Sequence, residues 1–195
     1  MANRVVVIDY KMGNVHSVLK KLRRLKVETL VSADADEIRR AEKLLLPGVG
    51  HFGKAMSCLQ ENHLVEALQE AVLERRAPIL GICLGMQLMT RHSQEGEVAG
   101  LGWIDAEVRR FQPQNQVKFK VPHTGWNRVH SLRPNPLFAS IEPQSEFYFV
   151  HSYKVCLQDP SLGLAETDYE MPFCSAFQSD NIYGVQFHPE KSHDV

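Results

Sequence analysis

The run Pro78-Ile79-Leu80-Gly81-Ile82-Cys83-Leu84-Gly85 limits what this chain can fold into more than any other stretch. Its centre, Gly81 to Gly85, reads G-x-C-x-G, the cysteine form of a sharp strand-to-helix turn that lifts a nucleophile clear of a sheet. A Cβ at either flanking glycine would collide with neighbouring backbone in so tight a turn, and glycine has none. A strand must therefore run in, over residues 78–82, and a helix must run out, predicted over 86–91. The pentapeptide alone identifies nothing, because it recurs by chance in many proteomes. Its surroundings decide what it means.

Upstream, strand and helix alternate. Val5-Val6-Val7-Ile8 is a short continuous apolar run, as expected of a strand buried on both faces. A turn over 9–14 leads to a helix predicted over 15–25, where Val15, Val18, Leu19, Leu22 and Leu25 recur at helical spacing. Strands are predicted over 27–31 and 44–46, the latter stopping at Pro47-Gly48, and one long helix over 51–74. This alternation predicts a parallel sheet with helices on both faces. The second half reads differently. Strand-like runs at 102–108, 117–121, 147–151, 153–157, 173–177 and 182–187 are punctuated by prolines 113, 122, 134, 136 and 143, with no long helix. The expected fold is α/β, with an antiparallel-rich second half. No repeat, linker or low-complexity tract interrupts the 195 residues, so a single domain over 1–195 is expected.

Composition excludes several classes of function. A net charge of -1 gives no reason to expect a nucleic-acid partner or an anionic membrane. No apolar run approaches the roughly 18 residues of a membrane helix, and the N-terminus MANRVVVIDYKMGN lacks a signal-peptide layout. The four cysteines, Cys58, Cys83, Cys156 and Cys174, lie far apart with no C-x-x-C pair, which argues against a zinc site and a disulfide framework. A reducing, cytoplasmic setting is expected, with no metal and no cofactor.

A nucleophilic thiol needs an oxyanion site and a base. Pro47-Gly48-Val49-Gly50 follows the third strand, and neighbouring parallel strands would bring it beside Cys83 on the edge where ligands bind. Backbone N–H groups there and at Leu84 could form an oxyanion hole, each donor worth about 3 kcal/mol in the transition state. A plain glycine turn is the alternative. Of nine histidines, His16, His51, His63, His92 and His130 fall on predicted helices or surfaces, and His193 is near the end. His188 differs. It follows the strand over 182–187, Pro189 holds it extended, and Glu190 points to the same side. A carboxylate there can hold the imidazole by Nδ1–H and leave Nε2 for the thiol, although a His-Pro-Glu surface turn reads the same way. Cys83 also opens a helix, which favours thiolate. Cys58 falls inside an amphipathic helix, and Cys156 and Cys174 lie in apolar strand runs, so all three are expected to be inert.

Taken together, Leu-Pro-Gly-Val-Gly (46–50), Gly-Ile-Cys-Leu-Gly-Met-Gln (81–87) and Gln-Phe-His-Pro-Glu (186–190) resemble, in order and spacing, the class I (triad) glutamine amidotransferases. Asp9-Tyr10, Met12-Gly13-Asn14, Gly125-Trp126-Asn127-Arg128-Val129 and Phe147-Tyr148-Phe149-Val150-His151-Ser152-Tyr153 are similar to the glutaminase subunits of imidazole glycerol phosphate synthase. The resemblance covers residues 4 to about 192 and implies a three-layer, flavodoxin-like fold with a mostly parallel central sheet. It also implies a Cys83–His188–Glu190 triad that splits glutamine through a glutamyl thioester. The implied oxyanion hole is Val49, Gly50 and Leu84, in a segment that withholds a donor until a partner is loaded. Gly50, Gln87, Glu95, Ser152 and Tyr153 would hold glutamine. Asn14, Trp126 and Lys191 would face a (β/α)8-barrel synthase subunit in a heterodimer, which receives the ammonia in histidine biosynthesis.

Two departures from the family stand out. Relatives usually continue into a last helix; this sequence stops at Lys191-Ser192-His193-Asp194-Val195, either because the C-terminus is short or because residues are missing from it, and Thr124 replaces a common methionine. The main alternative is a paralogous glutaminase feeding another barrel, for example in amidino-sugar synthesis. A non-catalytic regulatory subunit would not need the complete triad. A thiol hydrolase would place an Asp between nucleophile and histidine. A dinucleotide-binding domain would need G-x-G-x-x-G after the first strand.

Overall fold

The structure is a computed structural model that describes residues 4–192. His193 and the residues after it, on which the question of a last helix bears, lie outside them. Along the chain run β1 (Val5–Ile8), α1 (Val15–Arg24), β2 (Thr29–Ser32), α2 (Ala35–Arg39), β3 (Lys43–Gly48), α3 (Phe52–Glu61) and α4 (Leu64–Gln69). A π-helical turn (Glu70–Glu74) extends α4, followed by β4 (Ile79–Cys83), α5 (Leu84–Leu88), β5 (Thr90–Ser93), β6 (Val98–Ala99) and β7 (Ile104–Arg110). The second half adds β8 (His123–Arg128), β9 (His130–Ser131), β10 (Glu146–His151), β11 (Tyr153–Leu157), β12 (Gly163–Tyr169), β13 (Met171–Ser179) and β14 (Ile182–Val185).

One sheet runs β2-β1-β3-β4-β14-β13-β11-β7-β5-β6, with β12 and β9 joined beside β13. Its first five strands are parallel, and from β14 through β13 and β11 to β7 each pair is antiparallel. A separate antiparallel pair, β8 and β10, lies over one face. The expected α/β sheet with an antiparallel second half is therefore what forms. Alternation along the strands sorts the apolar side chains into two cores. Val6, Ile8, Leu44, Leu46 and Ile79 pack with residues of α2–α5, whereas Val7, Leu45, Ile82 and Val185 pack with Val18 of α1 and with Phe147 and Phe149 of β10. Each such fully buried side chain contributes about 1.5–3 kcal/mol of transfer free energy. In α1, Asn14 caps the N-terminus by accepting from the Ser17 N–H, and Lys21, Arg23 and Arg24 complement the helix dipole at its other end.

Several expected elements change. The single helix over 51–74 is broken at His63, which takes left-handed φ +55, while the side-chain amide of Asn62 donates to the Cys58 carbonyl. The apolar spacing continues through the break, so periodicity could not show it. The helix over 86–91 ends at Leu88 instead, because Thr90 and its successors pair with β7. Strand β3 does not stop at Pro47-Gly48 but includes them. Pairing with β1 ends at Leu45, so Pro47 sits opposite Ile82 alone, an edge-like place where a missing N–H is tolerated. The second strand lies at Thr29–Ser32 rather than 27–31, and 102–108 becomes Ile104–Arg110. Residues 117–121 form no strand; Asn115 captures the Lys118 N–H and the segment turns, leaving Val117 exposed. Helix α2 and strands β8, β9 and β12 were not expected.

Candidate active site

Cys83 ends β4 and caps α5, held at φ +53 and ψ -109. Such a backbone state is costly for a residue with a side chain, and its surroundings must enforce it. They do so through glycine. A Cβ on Gly81 would lie 2.7 Å from the backbone of Gly85, and one on Gly85 would lie 1.8 Å from the Leu46 carbonyl oxygen. These are the collisions expected from the sequence. The same contacts press α5 onto β3, so that Gly48 pairs with Cys83 and the 47–50 segment borders the thiol.

The expected base, His188, arrives from β14, the parallel neighbour on the other side of β4, where Val185 pairs with Ile82. Three residues further on, the His188 N–H donates to the Tyr148 carbonyl, and the Ser192 hydroxyl donates to the His188 carbonyl. With its backbone pinned, the ring sits 1% exposed, its Nδ1 2.8 Å from Oε1 of a Glu190 that is itself 4% exposed. Nδ1 must carry the proton, since a carboxylate only accepts. His188 Nε2 is buried and has no hydrogen-bond partner among the described residues. Burial opposes charge on this imidazole, but the neighbouring Cys83 and Glu190 outweigh it and hold its pKa up to about 9. Cys83 raises it first through its side-chain hydrogen bond and then by charge, although the Nε2–Sγ geometry is looser than a standard hydrogen bond, as is common in unliganded sites.

The segment expected to form the oxyanion hole is partly occupied. The Val49 N–H donates to the Met12 carbonyl at 2.7 Å and is not available to an oxyanion in this arrangement. Gly50, at φ +101, takes a conformation that side chains rarely adopt. Leu84 is the first residue of α5, where backbone N–H groups lack intrahelical acceptors.

A cavity of about 380 Å³ gathers these groups with those expected to hold glutamine: Gly50, Gln87, Glu95, Ser152 and Tyr153 all line it beside Cys83 and His188. Both N–H donors of Gln87 are occupied, one by the Tyr153 carbonyl at 3.1 Å and one by Gln186 Oε1 at 2.9 Å, so only its oxygen is left for a ligand. Glu95 accepts from the Phe52 N–H at 2.8 Å and so ties its loop to the start of α3.

The sequence reading missed Gln186. Its Nε2 lies 3.6 Å from the Cys83 sulfur, a donor aimed at the thiol. A fully buried glutamine at the end of an apolar strand is the signal that could have found it. It also missed His151, which lines the same cavity. Strand β10 alternates inward Phe147, Phe149 and His151, so period two alone places that histidine on the buried face.

Of the expected partner-facing residues, Trp126 is 41% exposed on β8 and packs edge-on against Tyr148, so it is not a core tryptophan. The Lys191 ammonium stands 5.8 Å from the same Tyr148 ring, and Asn14 is occupied as the α1 cap. Away from the site, burial pushes the Cys174 thiol up to about 12 and that of Cys156 upward, which leaves both inert as expected.

A thiol on a strand-to-helix elbow, a buried His–Glu dyad and a neighbouring glycine segment define a class of enzyme. Residues 6–195 match the family described as glutamine amidotransferase class-I, and the chain belongs to it. Two solved structures share the fold: PurLQS from Thermotoga maritima (TM-score 0.73, 17% identity, 98% of this chain and 89% of that one) and a glutamine amidotransferase from the same organism (TM-score 0.65, 18%, 96% and 76%). Within the class the chain falls among the HisH proteins. It is 46% identical to imidazole glycerol phosphate synthase subunit HisH 2 of Methanococcus maripaludis over 97% of this chain and 93% of that one. It is 45% identical to HisH 2 of Pseudomonas aeruginosa over the same shares, and 42% identical to HisH of Neisseria meningitidis serogroup B over 98% and 94%.

Proposed function

We propose that this protein, acting as one domain over residues 1–195 in the cytoplasm, hydrolyses glutamine through a thioester on Cys83. The ammonia goes to a (β/α)8-barrel synthase subunit, its heterodimer partner in histidine biosynthesis. The observation that carries the reading is the buried His188, gripped by Glu190 through Nδ1, with Nε2 left without a partner beside the Cys83 thiol.

In the proposed reaction the Cys83 proton rests on His188 Nε2, and the sulfur attacks the side-chain carbonyl carbon of glutamine as the thiolate. The carbonyl oxygen becomes an oxyanion facing the Leu84 N–H. His188 returns the proton to the nitrogen as the C–N bond breaks and ammonia leaves. Water then attacks the thioester with His188 as base, and glutamate departs with the thiol restored. Gln186, whose Nε2 donates toward the Cys83 sulfur, supports the thiolate. The free oxygen of Gln87 and the carboxylate of Glu95 suit the α-ammonium of the substrate. Ammonium is no nucleophile, so the ammonia must pass to the partner without meeting bulk water. Asn14, Trp126 and Lys191 are the proposed contacts, with Trp126 as the aromatic anchor.

The Met12 tie on Val49 makes a specific expectation. Releasing it adds an oxyanion donor, so the isolated chain should release glutamate slowly, and the barrel with its bound ligand should raise the rate by about 10²-fold. Equal rates with and without the barrel would contradict the coupling. One observation favours a second reading: two of the relatives above bear the numeral 2 in their names. A paralogue serving another barrel would hydrolyse glutamine with that barrel alone. Growth of a histidine auxotroph lacking HisH, once given this gene, separates the two; no growth despite soluble protein supports the paralogue.

A further inference from the structure

Two buried histidines that the reaction does not use stand at the glutamine cavity, His151 lining it. His123 on β8 and His151 on β10 are register partners across the two-stranded sheet. Their protons can be assigned one by one. The Tyr153 carbonyl is an acceptor only, so His151 Nδ1, 2.8 Å away, must carry a proton. That leaves a lone pair on His151 Nε2, which meets His123 Nδ1 at 3.1 Å, so this nitrogen must be the donor. A lone pair then remains on His123 Nε2, facing the Asn127 side-chain nitrogen at 3.4 Å. Asn127 cannot turn over, because its nitrogen donates to the Asp168 carbonyl at 2.9 Å and its oxygen accepts from the Arg128 N–H at 2.8 Å. The two rings are therefore neutral with one tautomer each. Burial agrees, pushing His123 down to about 4 and His151 down to about 3. The His123 ring is stacked between Phe149 and Tyr169, at 4.9 and 4.0 Å, which stops it rotating.

The chain of bonds ends on the carbonyl that orients Gln87. Tyr153 accepts from both His151 and Gln87, and the second Gln87 hydrogen goes to Gln186, which donates to Cys83. We infer that His123 and His151 are positioning residues: the pair fixes the Tyr153 carbonyl and, through it, the pose in which Gln87 receives the α-amino end of glutamine. The inference rests on the glutaminase reading for its ligand.

A pair that only filled space would tolerate phenylalanine, which keeps the aromatic stack. A positioning pair needs the donors. Cys83 should therefore be labelled with two electrophiles in the folded protein, a glutamine-shaped chloroketone that needs the cavity and iodoacetamide that does not. In His151→Phe the chloroketone rate is expected to fall about tenfold and the iodoacetamide rate to change by less than about twofold. His151→Asn keeps a donor in the place of Nδ1 and should recover to within about threefold of the unaltered protein. His123→Phe leaves His151 Nε2 unpaired and should resemble His151→Phe. Phenylalanine variants that fold and label normally overturn the inference, as do folded asparagine variants no better than phenylalanine. If a variant does not fold, the ¹⁵N spectrum of the unaltered protein decides: both rings should be neutral with the proton on Nδ1 at neutral pH, and an Nε2–H or charged ring overturns the inference. Failure of the glutaminase reading itself shows in the unaltered protein, as no selective labelling of Cys83 by the chloroketone.

Discussion

Changing Cys83 to alanine is expected to lower glutamine-dependent synthesis by at least about 10³-fold, while added ammonium salts still support the partner's reaction. The sulfur is the only atom lost, and alanine can hold the same positive φ no worse than cysteine, so the elbow should survive. On the proposed reading the barrel consumes ammonia whatever its source. His188→Ala should fall to a similar level, and the double variant no further, because nucleophile and base act as a unit. Coupled assays with glutamine and with ammonium, run side by side, read both halves. Glutamine-dependent activity within tenfold of the unaltered protein would falsify the assignment of Cys83.

Gly85→Ala should have the largest effect on stability. The new methyl would sit 1.8 Å from the Leu46 carbonyl oxygen and 2.9 Å from its carbon, both backbone atoms that cannot rotate aside. Strand β3 and helix α5 would have to separate, which costs about 3 kcal/mol or more and lowers the melting midpoint by roughly 6–12 °C. Because β3 carries the Pro47–Gly50 segment to the thiol, alkylation of Cys83 by iodoacetamide should also change. Gly53→Ala is the control. Its methyl would meet mainly the exposed ring of His51 at 3.3 Å, and in α3 alanine is the better helix former by about 1 kcal/mol. A Gly85→Ala protein as stable as Gly53→Ala would mean that the elbow is not closed by this contact.

The parts of the site that the sequence made legible are those in which one short stretch carries both chemistry and geometry. Gly81–Gly85 specifies a turn and a thiol together, and His188-Pro189-Glu190 specifies an imidazole and the carboxylate that holds it. The strands of the first half were legible because they are buried on both faces and read as unbroken apolar runs. What stayed hidden depends on partners distant in the chain. Strand β12, Gly163-Leu164-Ala165-Glu166-Thr167-Asp168-Tyr169, has weak strand propensity and exists through its pairing with β13. Residues 117–121 have strong strand propensity and no neighbouring strand, and one Asn115 hydrogen bond turns them away. The break at His63 leaves the apolar spacing intact. Gln186 and His151 were visible as letters, but only the register of β14 and of β8 with β10 shows what they face.

The position of β14 has a consequence for how this protein is made. The strand that leads to His188 slots between β4 and β13, and Gln186 meets Cys83 across 103 residues of chain. During synthesis β3 can flank β4 early, but the other edge of β4 stays open until residues 182–185 have left the ribosome. Closing so long a loop is slow, and an uncovered edge invites pairing with other nascent chains. A polypeptide interrupted before β14 lacks His188, Glu190 and Gln186 together. The power to release ammonia therefore arrives only with β14 and the residues that follow it, and the hazard of a copy cut short before them is aggregation, not wasted glutamine.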